Sequence, residues 1–171
     1  RAICEDVRGP AMETLPVDTG PTPFHLFKWY EHDLPAAARR WRSDVVFSVT
    51  NYLPRRRLRV PTLLLEQHAG HFSPLFDRMN RQADSSLLSR FAWRQKRNWV
   101  HQSVRTATVL TVQTAALAAS IAQAARLERD AIRVVPHGPG WVEMRAAPPE
   151  HSGEVVRLGF VTKWGVQKNF T

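Results

Sequence analysis

Short apolar runs alternate with segments of helical periodicity from residue 44 onward, and this alternation constrains the fold more than any other feature of the chain. The runs at 44–49, 61–67, 108–113 and 132–136 are rich in Val, Ile and Leu and are bounded by turn-forming residues, which is typical of buried strands. The segments at 85–105 and 115–128 place apolar residues at helical spacing. This order predicts an α/β fold: a parallel sheet with flanking helices and right-handed crossovers.

The same pattern predicts which side chains are buried. Thr114 is a plausible N-cap for the second helix, which would turn Leu117, Ile121 and Ala124 or Ala125 inward. In the long helix one predicted face holds Leu88, Phe91, Ala92, Gln95 and Trp99. The expected common core is Val46, Phe47, Leu64, Leu110, Leu117, Ile121 and Val134. Earlier in the chain, 23–30 is predicted as a strand and 34–42 as a short helix.

Charge and cysteine content limit the function classes without choosing one. The chain has 24 Lys plus Arg against 15 Asp plus Glu, a formal net charge of +9. Such a field attracts nucleic acid, anionic membranes or phosphorylated small molecules, although an arginine excess is equally expected from a GC-rich genome. The single Cys4 excludes an intrachain disulfide and a Cys-based zinc site, which fits a reducing compartment. With no signal peptide or long apolar run in the sequence, we expect a cytoplasm-facing piece of a longer protein.

The predicted sheet places several polar residues at one edge. Ligands of parallel sheets bind beyond the carboxyl ends of the strands, so the segments after the predicted strands should line one crevice. His68 is the first candidate there, because a neutral imidazole can hydrogen-bond a hydroxyl or a reacting group. The alternative for His68 is a loop side chain that makes its hydrogen bonds to the backbone. The alternative for His71 is a solvent-exposed side chain. Other cleft candidates are Asn51, Tyr52, Gly70, His71 and Thr114.

No metal site is predicted. His68 and His71 have a spacing that could bind a metal, but no third ligand is evident nearby.

Two lysines near the end of the sequence suggest a phosphate site. A second apolar run, 156–160, is followed by Lys163 and Lys168, five positions apart on a predicted loop. That arrangement suits binding of a diphosphate, and the alternative is a pair of solvated surface lysines.

The order of these segments resembles a known family. The strand closed by Pro136, His137 and Gly138, the linker, the next strand and the basic loop ending in "KNF" resemble the hinge of GT-B retaining glycosyltransferases of the family 4 type. The segments "DVVFSVTNYLP", "PTLLLEQHAGHF" and "VRTATVLTVQTAALAASIA" resemble that family's successive elements in order and spacing. Residues 1–22 contain several Pro and Gly residues and no sustained period, so a loop or disordered remnant is expected there. The resemblance implies a Rossmann-like acceptor-side domain at 23–138 and an interdomain linker at 139–155. Residues 156–171 would be the first strand and loop of a truncated donor-binding domain.

The resemblance also implies a function. It is transfer of a sugar, with retention, from a nucleotide-diphosphate sugar to a hydroxyl acceptor in glycan, cell-wall or lipid-linked saccharide synthesis, without a metal or other cofactor. His68 would contact the donor sugar as the catalytic residue. Lys163 and Lys168 would hold the donor diphosphate and offset charge on the leaving nucleotide.

The chain departs from the family pattern at several places. Thr162 stands where a Gly is common, and Lys163 stands where an Arg is common. The family's Gly-rich loop is not recognisable before residue 23, and its acidic pair is expected beyond Thr171. We therefore expect no turnover from this fragment alone.

A basic stripe on the long helix bears on partners and location. Arg90, Trp93, Arg94 and Arg97 fit an ordinary solvated face, or a surface that docks on an anionic membrane or on the phosphates of a lipid-linked acceptor. The expected location is cytoplasmic, with peripheral contact at the inner face of the membrane if the stripe docks there.

Two other functions stay open. One is a basic α/β nucleic-acid-binding module, and the other is a non-catalytic glycosyltransferase homologue. The sequence lacks an aromatic-glycine RNA signature, a zinc pattern and a recognition-helix motif, so no nucleic acid partner is expected.

Overall fold

The computed structural model describes residues 22–83 and 86–138. The predicted remnant up to residue 21, the linker and the second-domain segment with Lys163 and Lys168 lie outside the described residues. Within these residues, five α-helices and four strands follow one another as α1 (Pro23–Lys28), α2 (Leu34–Arg40), β1 (Val46–Ser48), β2 (Thr62–Glu66), α3 (Pro74–Ala83), α4 (Leu87–Thr106), β3 (Val109–Val112), α5 (Ala115–Ala125) and β4 (Ile132–Val134). A π-helical turn at Trp29–Asp33 joins α1 to α2, and 3-10 helices lie at Ala69–Phe72 and Arg129–Ala131.

The four strands form one parallel sheet in the order β1-β2-β3-β4. In the register, Leu64 of β2 pairs with Leu110 of β3, which in turn pairs with Ile132 of β4. Helix α4 packs on β2, and α5 packs on β3 and β4. The predicted α/β fold with a Rossmann-like parallel sheet is therefore confirmed, together with the four strand positions and the helices after residue 85.

The strand predicted at 23–30 is wrong, because this segment forms α1 and enters the π-helical turn. Thr22 caps the helix by accepting a hydrogen bond from the His25 N–H, and Pro23 occupies the first turn, where its missing N–H costs nothing. Leu26 and Trp29 then pack against the core at a spacing of three residues. A short apolar run does not distinguish the period of a strand from that of a helix, and here the N-terminal cap decides in favour of the helix.

The predicted core is correct at five of its seven positions. Val46, Leu64, Leu110, Leu117 and Ile121 are buried. Phe47 is 56% exposed because successive strand residues point to opposite faces, and both Val46 and Ser48 already face the helices. Val134 is 37% exposed near the end of the outer strand β4. Among the described residues, the sheet face opposite the helices exposes Val45, Phe47, Val49, Val109 and Val135.

Helix α4 buries a different set of residues from the one predicted. Trp99 is buried as expected, but Leu88 and Phe91 are 81% and 61% exposed. All four buried residues of the helix lie from Trp99 onward, so only its carboxyl-terminal half packs on the sheet. The Trp99 indole closes an aromatic cluster with Tyr30 and Tyr52 and donates a hydrogen bond to the Leu53 carbonyl at 2.7 Å.

Helix α5 matches its prediction. The Thr114 hydroxyl accepts a hydrogen bond from the Leu117 N–H at 3.1 Å and so caps the helix. Leu117, Ile121 and Ala125 face inward, together with Ala118. In residues 22–83 and 86–138, no helix combines the length and apolar character needed to cross a membrane.

Candidate functional site at the carboxyl edge of the sheet

The loops that leave β1 and β2 are tied together at the carboxyl edge. Asn51 adopts a left-handed backbone conformation with φ of 68°, which Asn tolerates better than most residues. Its side-chain oxygen accepts a hydrogen bond from the Gln67 N–H at 3.1 Å. The Gln67 side chain returns a longer hydrogen bond to the Val49 carbonyl at 3.4 Å. Asn51 therefore fixes the strand ends from which His68 projects.

Glu66, the last residue of β2, is a buried carboxyl group that the sequence analysis did not single out. Its side chain is 0% exposed, and Oε1 accepts a hydrogen bond from the His68 N–H at 2.9 Å. Oε2 is buried without a hydrogen-bond partner among the described residues. Burial raises the pKa of Glu66 to about 8, although hydrogen bonds from the His68 and Gln67 backbone oppose the shift. The carboxyl group is therefore mainly protonated at neutral pH.

His68 lies beside this carboxyl group in a half-buried aromatic setting. Its ring centroid is 4.7 Å from that of His71 and 5.8 Å from that of Phe76. Burial lowers the pKa of His68 against the opposing effect of the residue's own backbone carbonyl, and the nearby positive charge of Lys96 lowers it further, so the imidazole is neutral at pH 7.

The two ring nitrogens of His68 have different surroundings. Nδ1 is buried without a partner, and Nε2 makes no hydrogen bond among residues 22–83 and 86–138. We assign the proton to Nε2, because an orphaned buried N–H is less favourable than an unpaired lone pair. His68 thus offers an N–H donor to a ligand.

His71 is a core residue, so the exposed alternative for it is wrong. Its side chain is 2% exposed, and burial, together with the surrounding positive charges, lowers its pKa to about 3. The ring stacks on Trp93 with centroids 5.0 Å apart. Its carbonyl accepts hydrogen bonds from Arg97 Nε at 2.9 Å and from His101 Nε2 at 3.0 Å. These contacts fix the 3-10 helix, and with it His68, against α4.

The basic stripe of α4 divides into two parts. Trp93 donates a hydrogen bond to Asp77 Oδ1 at 3.0 Å, and Arg97 lies 3.6 Å from the same carboxylate. Both residues therefore hold α3 against α4. Arg90 and Arg94 are exposed and line a cavity of about 520 Å³ between these helices. Arg90 and Arg94 remain the members of the stripe that a membrane or an acceptor phosphate could reach.

Two predicted cleft residues have structural roles. Tyr52 is buried in the aromatic cluster, and burial, followed by the effects of Tyr30 and Glu66, raises its pKa to about 12. Thr114 caps α5, as described above.

Gly70 permits the close approach of His68. A Cβ at Gly70 would lie 2.6 Å from Cε1 of the His68 ring and 3.0 Å from Cδ1 of Phe76. We expect Gly70→Ala to displace the imidazole and to return the pKa of His68 toward the ordinary histidine value, because the ring loses its half-buried position. An NMR titration of the His68 ring proton measures this change. Gly138→Ala is the matched control, since a Cβ there meets nothing within 4 Å. An identical His68 titration in the wild type and Gly70→Ala would contradict the packing argument.

The chemistry available at this edge is that of neutral groups. Within the part of the chain that the structure describes, no three His, Cys, Asp or Glu side chains are grouped so as to hold a metal ion. Comparisons with protein-family models, with curated proteins and with solved structures found no match. A neutral histidine N–H is suited to a hydroxyl-bearing ligand, whereas the fully buried Glu66 carboxyl group acts only on the position of His68.

Proposed function

We propose that this chain is the acceptor-side domain of a retaining glycosyltransferase that moves a sugar from a nucleotide-diphosphate sugar to a hydroxyl acceptor. The observation that carries the proposal is the neutral His68, fixed at the carboxyl edge of a parallel sheet with Nε2 unpaired among the described residues. Ligands of such sheets bind at this edge, and a neutral imidazole N–H can donate to a sugar oxygen there.

The surroundings of His68 support this role. Gly70 leaves room for the ring, His71 and Phe76 limit its movement, and Glu66 fixes its backbone N–H. A side chain restrained in this way loses little entropy when it binds a substrate, which favours precise positioning. The proposed role is therefore hydrogen bonding to the donor sugar at the reacting centre.

Lys163 and Lys168 complete the proposed chemistry from the second domain. A nucleotide diphosphate leaves with developing negative charge, and two cations near that position stabilise it electrostatically without a metal. Arg90 and Arg94 on α4 would contact a phosphate-bearing, lipid-linked acceptor, which would place the protein in the cytoplasm with peripheral contact at the inner face of the membrane.

We expect His68→Ala in the full-length protein to lower kcat while leaving affinity for the free nucleotide nearly unchanged. A lost neutral hydrogen bond is worth about 0.5–1.5 kcal/mol, which corresponds to a roughly 2- to 13-fold lower kcat. His68→Gln keeps an N–H donor and should recover part of the activity, and His25→Ala serves as the exposed control. Steady-state rates beside calorimetric titration with the nucleoside diphosphate separate the two effects. An unchanged kcat in His68→Ala would remove His68 from the reaction.

A further inference from the structure

A strongly basic cavity lies at the amino edge of the sheet, opposite the edge that carries His68. It has a volume of about 700 Å³ and lies where the chain approaches the amino ends of β1 and β2, lined by Ser43 before β1 and Val60 before β2. The arginines that line it are Arg39, Arg42, Arg56, Arg57 and Arg59. Glu31 is the one carboxylate among the described lining residues.

These five arginines are not neutralised by the protein around them. Across residues 22–83 and 86–138, none of their side chains makes a salt bridge or a hydrogen bond, and all five residues are exposed. Oε1 of Glu31 already accepts a hydrogen bond from the Arg55 backbone N–H at 2.6 Å. Several like charges around one cavity repel each other, and a bound anion relieves that repulsion.

Arg42 occupies a backbone position that normally selects glycine. Helix α2 ends in a Schellman motif, in which the Ser43 N–H bonds the Ala38 carbonyl at 3.0 Å and the Arg42 N–H bonds the Arg39 carbonyl at 3.2 Å. The residue in the middle of this motif, Arg42, has a φ of 49°. Glycine adopts this conformation without strain, whereas a side chain does so at a cost. Strain of this kind is common where a side chain has a function, and here the strained residue is one of the cavity arginines.

The size and lining of the cavity indicate the kind of anion. Small-molecule sites are roughly 300–1,000 Å³, so this volume fits a compact ligand. Arginine guanidinium groups bind phosphate oxygens in a bidentate manner. His32 is the only ring system other than Pro35 among the described lining residues, so no Trp, Tyr or Phe is placed there to stack on a nucleobase.

We propose that this amino-edge cavity binds a small polyphosphate, a diphosphate or triphosphate group recognised through its phosphate oxygens. The site is separate from the carboxyl edge and from the proposed transfer reaction. It is tested by binding to a chain in which Lys163 and Lys168 are both replaced by Ala, which removes the proposed donor diphosphate site, so its failure would leave the proposed function untouched.

The test is calorimetric titration of this double lysine variant of the full chain with inorganic tripolyphosphate at several salt concentrations. We expect saturable binding that weakens as salt increases, because ions screen these exposed charges. Arg57→Ala should weaken binding about tenfold or more, as expected for loss of a charged hydrogen bond. Arg133→Ala on β4, which removes an equal charge outside the cavity, should have little effect. No binding of tripolyphosphate, or an equal loss in both variants, would overturn the proposal.

Two further variants distinguish binding from folding. Arg42→Gly should raise the melting temperature of the free protein, because glycine suits the left-handed position, and yet weaken tripolyphosphate binding. Glu31→Gln keeps an oxygen that can accept the Arg55 N–H but removes the negative charge, so it should tighten binding. Tripolyphosphate affinity unchanged in both variants would contradict the assignment of this cavity.

Competing ligands identify the source of the phosphate. Similar affinities for ATP and tripolyphosphate would indicate that the phosphate chain alone is recognised, in agreement with the proposal. Citrate that binds as tightly as tripolyphosphate would show a response to charge without phosphate recognition and would overturn it. A single-stranded DNA 12-mer that tripolyphosphate fails to displace would also overturn it, in favour of a nucleic-acid surface.

Discussion

The free energy of unfolding is expected to follow a bell-shaped pH profile, falling by roughly 2 kcal/mol between pH 6.5 and 8 and by a similar amount between pH 4.5 and 3. The alkaline limb comes from Glu66, because burial raises its pKa from 4.5 to about 8. Between these values the folded protein keeps a proton that the unfolded chain releases. The stabilisation is therefore complete below pH 4.5 and is lost as the pH rises through 8, at about 1.4 kcal/mol per pH unit.

The acid limb comes mainly from His71, because burial lowers its pKa from 6.5 to about 3. The unfolded chain takes up a proton in this range while the folded protein does not. The contribution of His71 is thus complete above pH 6.5 and is lost as the pH falls through 3. Burial also lowers the pKa values of His68 and His101, which adds to the same limb. Between pH 4.5 and 6.5 the Glu66 and His71 slopes oppose each other, so the profile should rise there only through the smaller contributions of His68 and His101.

Urea unfolding from pH 3 to 8.5 measures this profile, and two variants assign its limbs. Glu66→Gln should flatten the alkaline limb, whereas His71→Phe should reduce the acid limb and keep a ring stacked on Trp93. Glu128→Gln, at an exposed position, is the control for the loss of an acidic group. An alkaline limb that persists in Glu66→Gln would show that another group causes it.

Replacing Lys163 or Lys168 by Ala in the full-length protein is expected to cause the largest loss of activity. Under the proposed function each change removes a cation from the donor diphosphate site, and the loss of one such electrostatic partner costs about 2.7–4 kcal/mol, or about 100- to 1,000-fold in kcat. Both variants should also bind the nucleoside diphosphate more weakly in calorimetric titration. Lys28→Ala, at an exposed position on α1, is the control. Unchanged nucleotide affinity in both lysine variants would refute the diphosphate assignment.

The sheet could be predicted because its strands are short, apolar and clearly bounded. Leu64, Leu110 and Ile132 lie side by side in adjacent strands and pack under helices that have recognisable caps and periods. The sequence pattern did not predict burial correctly where burial depends on a distant part of the chain. Leu88 and Phe91 have helical spacing but lie on the half of α4 that does not reach the sheet, and Phe47 lies on the sheet face away from the helices.

The position of His68 at the carboxyl edge of the sheet was predictable from the sequence, but its electrostatic surroundings were not. The strand-end rule pointed to His68, and the structure adds that the ring is half-buried and lies against the position of Gly70. Glu66 was missed because a carboxyl group that ends an apolar strand usually faces water. Its signal was the strict alternation of Thr62, Leu64 and Glu66, which places all three on the buried face. The left-handed Arg42 has no sequence signal, since glycine is the residue expected there.

The most direct test of the proposed function is a transfer assay of the full-length protein with a panel of nucleotide-diphosphate sugars and hydroxyl acceptors, including polyprenyl phosphate lipids, in the presence of EDTA. The proposal predicts that release of the nucleoside diphosphate requires an acceptor and continues without divalent metal. The product should retain the anomeric configuration of the donor, and His68→Ala should form it more slowly. No transfer with any donor and acceptor pair, or a product with inverted configuration, would contradict the proposal.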